Sequence, residues 1–243
     1  TSVPQARIFS NCPCVIHNKY GFANIGINHW NVLNNFYKGS RTFGESHNLL
    51  KLIKNTLTPE EFEILKSDMK DIVVTVSNLS LNTVEYKSIK DFEYDDFCEW
   101  IWISCNYTPF MSLVRKAGCE YADGGLGSMV PIEEAIMRGA TEVDAIILHT
   151  EVTHFNRMPS KNAFSLLTSM FAFMLDRIER QNIRIGKFVA NNNNAIINFY
   201  YTPTVLTTNS LIFDKEKMTS WWEKGYDFAR TKNVELSAIE PEQ

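Results

Sequence analysis

The end of one short strand constrains this chain most strongly. Tyr121 and Ala122 favour a strand, and Asp123 follows them directly before Gly124 and Gly125. Two residues that tolerate positive φ place the Asp123 carboxylate at an exposed strand-to-helix corner, which a substrate can reach. Aspartate is also common in plain turns, because its side chain bonds to the nearby backbone. The pattern alone leaves two interpretations of Asp123 open, a reactive carboxylate and a turn residue.

A short helix and further strands are predicted around this corner. Pro131 fits the first position of a helix, and Gly139 fits its stop. The β-branched runs at residues 72–79 and 143–149 suit strands that are buried on both faces. Because a strand, a helix and a strand in succession imply a right-handed crossover, the sequence predicts an α/β protein with a parallel sheet.

Two helices are predicted ahead of the first strand, and one long helix near the carboxyl end. Residues 46–57 space their apolar side chains helically, and Thr58 to Glu61 reads as a capping box with proline in the first helical position. Residues 162–182 form a long amphipathic pattern that is rich in Met and Phe. That apolar face suits either core packing or contact with acyl chains and a membrane. Residues 191–194 are expected to form a polar turn before a strand at 196–201.

Composition indicates an ordinary globular domain. The chain has 243 residues, of which 44% are hydrophobic and 21% charged, so one domain spanning residues 1–243 is expected. The net charge of -4 provides no basic field, and nucleic acid is not expected as a partner. The sequence has no apolar run of the roughly 18 residues that a membrane span needs.

The cysteines do not form a disulfide framework or a metal site in our interpretation. There are five, an odd and scattered number, which favours a reducing compartment and a cytoplasmic location. Cys12 and Cys14 lie near His17, but no second pair stands at the spacing of structural zinc, so no metal is expected. The other three cysteines have apolar neighbours and are expected to be buried.

An ordered set of segments resembles the patatin-like phospholipases. Residues 123–140 are similar to the family's aspartate motif, Asp-Gly-Gly followed by Pro-Ile and a later Gly-Ala. Residues 103–110 are similar to its Ala-Ser-x-Ala-x-Pro segment, and residues 74–86 to its strand, turn and strand. Residues 213–229 look like its last helix. The resemblance covers roughly residues 40 to 230, and it is specific as a set rather than by any single piece.

The resemblance implies a fold and an activity. The fold would be a three-layer α/β fold, with a largely parallel central sheet flanked by helices. The activity would be hydrolysis of lipid carboxylic esters through an acyl-serine intermediate, without a cofactor. In the family an aspartate activates the serine directly, so Asp123 would be the catalytic base, and Gly124 and Gly125 would supply the local geometry. Implied partners are a lipid or other acyl-ester substrate, with peripheral membrane contact.

The nucleophile of that family has no counterpart here. No stretch reads Gly-x-Ser-x-Gly, and the segments at residues 39–44 and 127–129 lack the spacing of a nucleophile elbow. The family carries this serine ahead of the similar segments, and this chain starts at Thr1. We therefore expect that an amino-terminal segment is absent, that these residues are the carboxy-terminal portion of the domain, and that they are inactive alone.

Two alternatives from other classes stay open. A non-catalytic patatin-like scaffold would bind lipid or protein, with Asp123 kept as a turn residue. An acyltransferase of the acyl-carrier type would pair its serine with a histidine, for which no matching position is found. The sequence does not identify the head group, the acyl-chain length or the oligomeric state.

Overall fold

The computed structural model describes Tyr37 and residues 41–42, 46–151, 163–206 and 215–231. Cys12, Cys14 and His17, at which no metal is expected, lie outside these residues, as does most of the rejected serine segment at 39–44. The chain divides into two compact units, Thr1–Gly124 and Gly125–Gln243. Each unit has its own hydrophobic core. A single domain over all 243 residues stays a prediction.

In the first unit, the described residues form three α-helices and a four-stranded sheet. Its elements are α1 (His47–Thr56), α2 (Pro59–Ser67), β1 (Val73–Asn78), β2 (Thr83–Ser88), α3 (Tyr94–Ser104), β3 (Val114–Lys116) and β4 (Cys119–Asp123). The strand order is β2-β1-β4-β3. The predicted capping box is confirmed, since the Thr58 side chain accepts from the Glu61 amide at 3.2 Å and the Thr58 amide donates to the Glu61 carboxylate at 3.0 Å.

The expectation of a largely parallel central sheet is wrong for these four strands. Every neighbouring pair runs antiparallel. Short connections explain two of the three pairs, β1 with β2 and β3 with β4, because a parallel crossover needs a dozen or more residues. Only residues 79–82 join β1 to β2. Ala117 and Gly118 alone join β3 to β4, and both have positive φ (49° and 80°), as a two-residue hairpin turn requires.

One core of the first unit lies between α3 and the sheet. Trp100 and Trp102 of α3 are buried with Val76 of β1 and Tyr121 of β4. The rings of Trp100 and Tyr121 meet edge to face, with centroids 5.1 Å apart. A second cluster joins Phe62, Ile89 and Phe97, which are fully buried. These contacts hold β4, and with it Asp123, firmly against α3.

The part of the second unit that the structure describes has two parallel strands and three α-helices. Its elements are α4 (Ile132–Met137), β5 (Glu142–Ile147), α5 (Ala163–Asn193), β6 (Ile196–Tyr201) and α6 (Lys215–Thr231). Strands β5 and β6 pair in parallel across α5, so a parallel arrangement does occur here. Ile132, Ile136, Ile147 and Ile197 form its core with Ala190 and other small and aromatic side chains.

The carboxyl ends of α4 and α5 follow local chemistry. Gly139 stops α4 as predicted: its φ is 100°, and its amide and that of Ala140 donate to Ile136 and Ala135 in a Schellman motif. The predicted polar turn at residues 191–194 is wrong, because α5 continues to Asn193. Asn194, with φ of 53°, takes the left-handed position that ends it.

None of the helices that the structure describes combines the length and apolar character that a membrane span requires.

Candidate active site

Asp123 is the last residue of β4 and lies beside the inner strand β1. It pairs with Val76, and directly opposed residues of an antiparallel pair project from the same face of a sheet. Tyr121 lies on the same face of the sheet, and α3 packs against that face. The Asp123 side chain is only partly buried. The strand end therefore presents a carboxylate that is held by the sheet but is accessible from outside.

Gly124 is required by close packing. A Cβ atom at this position would lie 2.2 Å from the carbonyl oxygen of Thr75 in β1. The sequence prediction relied on the tolerance of glycine for positive φ. The backbone of Gly124 is not left-handed, so this property does not explain the glycine. Gly124 is buried and begins a short 3-10 turn with Gly125. A glycine here lets the chain leave β4 against the backbone of β1, immediately after the carboxylate.

A buried asparagine anchors the backbone of Asp123. Asn106 follows α3 and is fully buried, and its carbonyl oxygen accepts from the Asp123 amide at 3.0 Å. Its side-chain amide donates to the Trp102 carbonyl at 2.8 Å, and its side-chain oxygen accepts from the Ser46 hydroxyl. The hydroxyl of Ser112 in turn accepts from the Ser46 amide at 2.9 Å. Because buried polar groups are costly when unpaired, this network defines one arrangement of the loop next to Asp123.

Cys105 and Tyr107 lie on either side of Asn106 in this loop, and both interact with the Asp123 carboxylate. Desolvation and the nearby Asp123 carboxylate raise the pKa of the Cys105 thiol above its ordinary value. The same two causes raise the pKa of the Tyr107 phenol. Cys105 is exposed, so the expectation that it is buried is wrong, while Cys98 is buried as expected. The negative charge of Asp123 therefore lies beside the loop that follows α3, next to the exposed Cys105.

A second polar cluster joins β1, β2 and β4 at the neighbouring pair on the same face, Asn78 and Tyr121. The Glu85 carboxylate accepts from Asn78 at 2.7 Å and from Lys87 at 2.5 Å. Although burial acts to raise it, these two donors hold the pKa of Glu85 below its ordinary value. The Lys87 ammonium also lies 4.4 Å from the centre of the Trp100 ring. The Tyr121 hydroxyl of β4 also donates to the Glu85 carboxylate at 3.4 Å, so side chains as well as ladders join the three strands that position Asp123.

The end of β4 offers a carboxylate to a group that approaches it. Within the described ranges no group of three metal-ligating side chains comes together. A carboxylate on a rigid strand end can accept a proton from a hydroxyl within hydrogen-bond reach. Sequence patterns identified Asp123 and its glycines but missed Asn106. The only local signal for Asn106 was a lone polar residue just after an apolar helix.

The sequence matches a known protein family. The family model described as Patatin-like phospholipase matches residues 4–136, more than half of the 243 residues. The match includes residues 123–125 and all of the first unit's described elements. It begins well before the segments on which the resemblance was based, and it ends before residues 213–229. No curated protein was found to match the chain.

Proposed function

The chain belongs to the patatin-like phospholipase family, and on that basis we propose that it hydrolyses carboxylic esters of lipids with Asp123 as the catalytic base. Membership of the family suggests lipid hydrolase activity in general terms. The finer proposal concerns the chemistry: an acyl-serine intermediate and a Ser-Asp dyad. Its substrate is a lipid or another acyl ester, and it needs no cofactor.

The position of Asp123 is the observation that carries this proposal. Its carboxylate is partly buried, and its strand lies between β1 and β3. Its own amide is fixed by the buried Asn106, and the next residue cannot carry a side chain because of Thr75. A turn residue needs none of this support. A base does, since the proton transfer depends on a carboxylate within about 3 Å of the serine hydroxyl.

The chemistry takes two steps that use the same carboxylate. In the first, Asp123 takes the proton of a serine hydroxyl while the serine oxygen bonds to the acyl carbon of the ester. The bond to the leaving alcohol then breaks, and the proton passes from Asp123 to that alcohol. In the second, Asp123 takes a proton from water while the water oxygen bonds to the acyl carbon. The bond to the serine oxygen then breaks, the fatty acid leaves, and the proton passes from Asp123 to the serine oxygen. The carboxylate thus does the work that histidine does in a Ser-His-Asp triad.

Serine and its oxyanion donors are not assigned to residues of this chain. Gly-x-Ser-x-Gly does not occur in the 243 residues, and Gly124 and Gly125 serve geometry in the proposal. No histidine is given a role: His47 packs its ring against Trp102, with centroids 5.3 Å apart, and His149 pairs with Glu179 at 2.8 Å. The tests below therefore use the intact protein.

The decisive variant is Asp123→Asn in the intact protein, which keeps the shape and removes the base. Turnover of a short-chain ester and of a phospholipid is expected to fall about 100- to 10,000-fold, with circular dichroism and the unfolding midpoint unchanged. Asp95→Asn is the matched control, because Asp95 is an exposed carboxylate of the same unit that pairs with Lys54. Turnover by the Asp123 variant at the level of the control would refute the proposal.

A non-catalytic scaffold is the second candidate. The absence of Gly-x-Ser-x-Gly from the 243 residues is the observation that favours it. A scaffold would bind lipid or a protein without hydrolysing any ester, and Asp123→Asn would leave its binding unchanged. Intact protein that binds phospholipid vesicles but turns over neither ester would support this alternative.

A further inference from the structure

The long helix α5 exposes large apolar side chains along one side. Seven large apolar side chains on it are between 44% and 65% exposed: Leu166, Leu167, Met170, Phe173, Met174, Ile185 and Phe188. Spacings of three and four residues place them along one side of the helix. Gly186 lies on the opposite side, against Ile132. The apolar side faces away from the core, and we call it the α5 face.

Positive charge is interleaved with this apolar surface. Arg177 follows Met170 by seven residues and Phe173 by four, so it lies on the α5 face, and Arg184 lies seven residues further on. Both arginines are exposed. In the described part of the chain no ion pair joins either guanidinium to a carboxylate.

The acidic side chains of α5 lie elsewhere on the helix. Asp176 is partly buried and pairs with Arg180 at 3.1 Å. Glu179 is largely buried and pairs with His149 at 2.8 Å. Neither carboxylate is placed on the α5 face by helical spacing. This surface therefore combines apolar area with uncompensated positive charge.

We propose that the α5 face adsorbs to the surface of an anionic phospholipid bilayer. The inference rests on the proposed function, since it names the form in which the lipid substrate is met. Residues 166 to 188 span roughly 33 Å of helix, which is enough to lie along the membrane plane. The apolar side chains would enter the region between head groups and acyl chains, and Arg177 and Arg184 would reach the phosphates.

Charge complementarity favours lipid over a second copy of the chain. A two-fold dimer through the α5 face would bury four guanidinium groups in an interface to which this face brings no carboxylate. Burying unpaired charge is costly. A bilayer offers apolar chains and phosphates at adjacent depths, and the guanidinium fork matches phosphate oxygens well. The mixture of Phe, Met, Leu and Arg is typical of interfacial helices.

Vesicle co-sedimentation of the intact protein tests the proposal. Vesicles of phosphatidylcholine alone are compared with vesicles of phosphatidylcholine mixed with phosphatidylserine, at low and high salt. We expect stronger binding to the anionic vesicles and weaker binding at high salt, because screening reduces the attraction of the arginines.

Two variants separate the apolar and the charged contributions. Phe173→Ser is expected to weaken vesicle binding about tenfold, through loss of an inserted ring. Arg177→Gln with Arg184→Gln is expected to weaken binding to anionic vesicles roughly thirtyfold and to abolish the preference for them. Met69→Ser and Lys51→Gln are the matched controls, because Met69 is 97% exposed and Lys51 is exposed, both outside the α5 face. Unfolding midpoints show that every variant is folded.

The outcomes separate this inference from the proposed function. Each variant is also assayed on a water-soluble short-chain ester, which needs no bilayer. If the α5 variants lose vesicle binding but keep short-chain turnover, both proposals are supported. If the wild-type protein binds vesicles but turns over no ester, the inference about the α5 face alone is supported. Absent binding, or binding that the α5 variants leave unchanged, overturns the inference whatever the turnover. A dimer that Phe173→Ser dissociates, together with absent vesicle binding, assigns the face to a second copy.

Discussion

The two compact units differ in what they do with their surface. The first unit surrounds the end of β4 with paired polar groups, from the buried Asn106 to Glu85, and exposes one carboxylate there. The second unit covers one side of a parallel strand pair with α4 and α5, and turns large apolar side chains of α5 outward. A fixed carboxylate suits chemistry, and an apolar, positively charged helix suits a lipid surface. The catalysis and the membrane contact that we propose therefore belong to different parts of the chain.

The two units also differ in what a buried glycine packs against, backbone in the first and a side chain in the second. A Cβ on Gly124 would meet the backbone oxygen of Thr75 at 2.2 Å, whereas one on Gly186 would meet the Ile132 side chain at 2.7 Å. A strand backbone within a sheet cannot move without breaking its ladder, but a short helix such as α4 can shift. The two units should therefore tolerate an added methyl group to different degrees.

Gly124→Ala is expected to have the largest effect on stability. Overlap with the Thr75 carbonyl should lower the free energy of unfolding by about 3 kcal/mol, because β1 and β4 must separate. Thermal unfolding measures the loss, and hydrogen exchange should show it in the first unit's strands. Gly225→Ala is the control, since a Cβ there meets nothing within 4 Å. Equal stability of the two variants would remove the steric account of Gly124.

Asn106→Ala should cost about 2 kcal/mol, because the buried Ser46 hydroxyl loses its acceptor and the Trp102 carbonyl loses the shorter of its two hydrogen bonds. Ester turnover should fall as well, since the loop that fixes the Asp123 amide loses its own anchor. Denaturant unfolding and turnover are measured on the same samples. Asn55→Ala, at an exposed position of α1, serves as the comparison. A stable Asn106 variant would show that the network does not hold the site.

Gly186→Ala is expected to cost about 1 kcal/mol, since overlap with Ile132 is partly offset by the better helix propensity of alanine. Hydrogen exchange should now report the change in α4 and α5, while the strands around Asp123 keep their protection. A loss of protection spread equally over both units would contradict the division into separately packed units.

The smallest expected effect is on the reactivity of Cys105. Its raised pKa keeps the thiol mostly protonated at neutral pH, and the thiolate is the reactive form. Asp123→Asn removes a negative charge, so the Cys105 pKa should fall and iodoacetamide should modify it several-fold faster near pH 7. Peptide mapping over a range of pH gives the rate, with Asp95→Asn as control. An unchanged rate profile would place the carboxylate elsewhere.

Local features were predictable from the sequence because local chemistry determines them. The capping box at Thr58, the stop at Gly139 and the strand that ends at Asp123 each follow from a few neighbouring residues. The strand predicted at residues 72–79 is also present, as β1.

Strand direction and the support of the site were not predictable in the same way. A β-branched run is compatible with either direction. The strand β1 is antiparallel to β2 because a short turn joins them, whereas its direction relative to β4 depends on a long connection through α3. Asn106 is important through Ser46 and Trp102, of which Ser46 is 60 residues away in sequence. Such contacts exist only after the chain has folded, so no local pattern reveals them.

Fluorophosphonate labelling of the intact protein, followed by peptide mass mapping, tests the central claim most directly. The probe reacts only with a serine that a nearby base activates. We predict an adduct on one serine of the wild-type protein, and its loss in Asp123→Asn but not in Asp95→Asn. An adduct that forms equally in all three proteins, or in none of them, would contradict the assignment of Asp123 as the catalytic base.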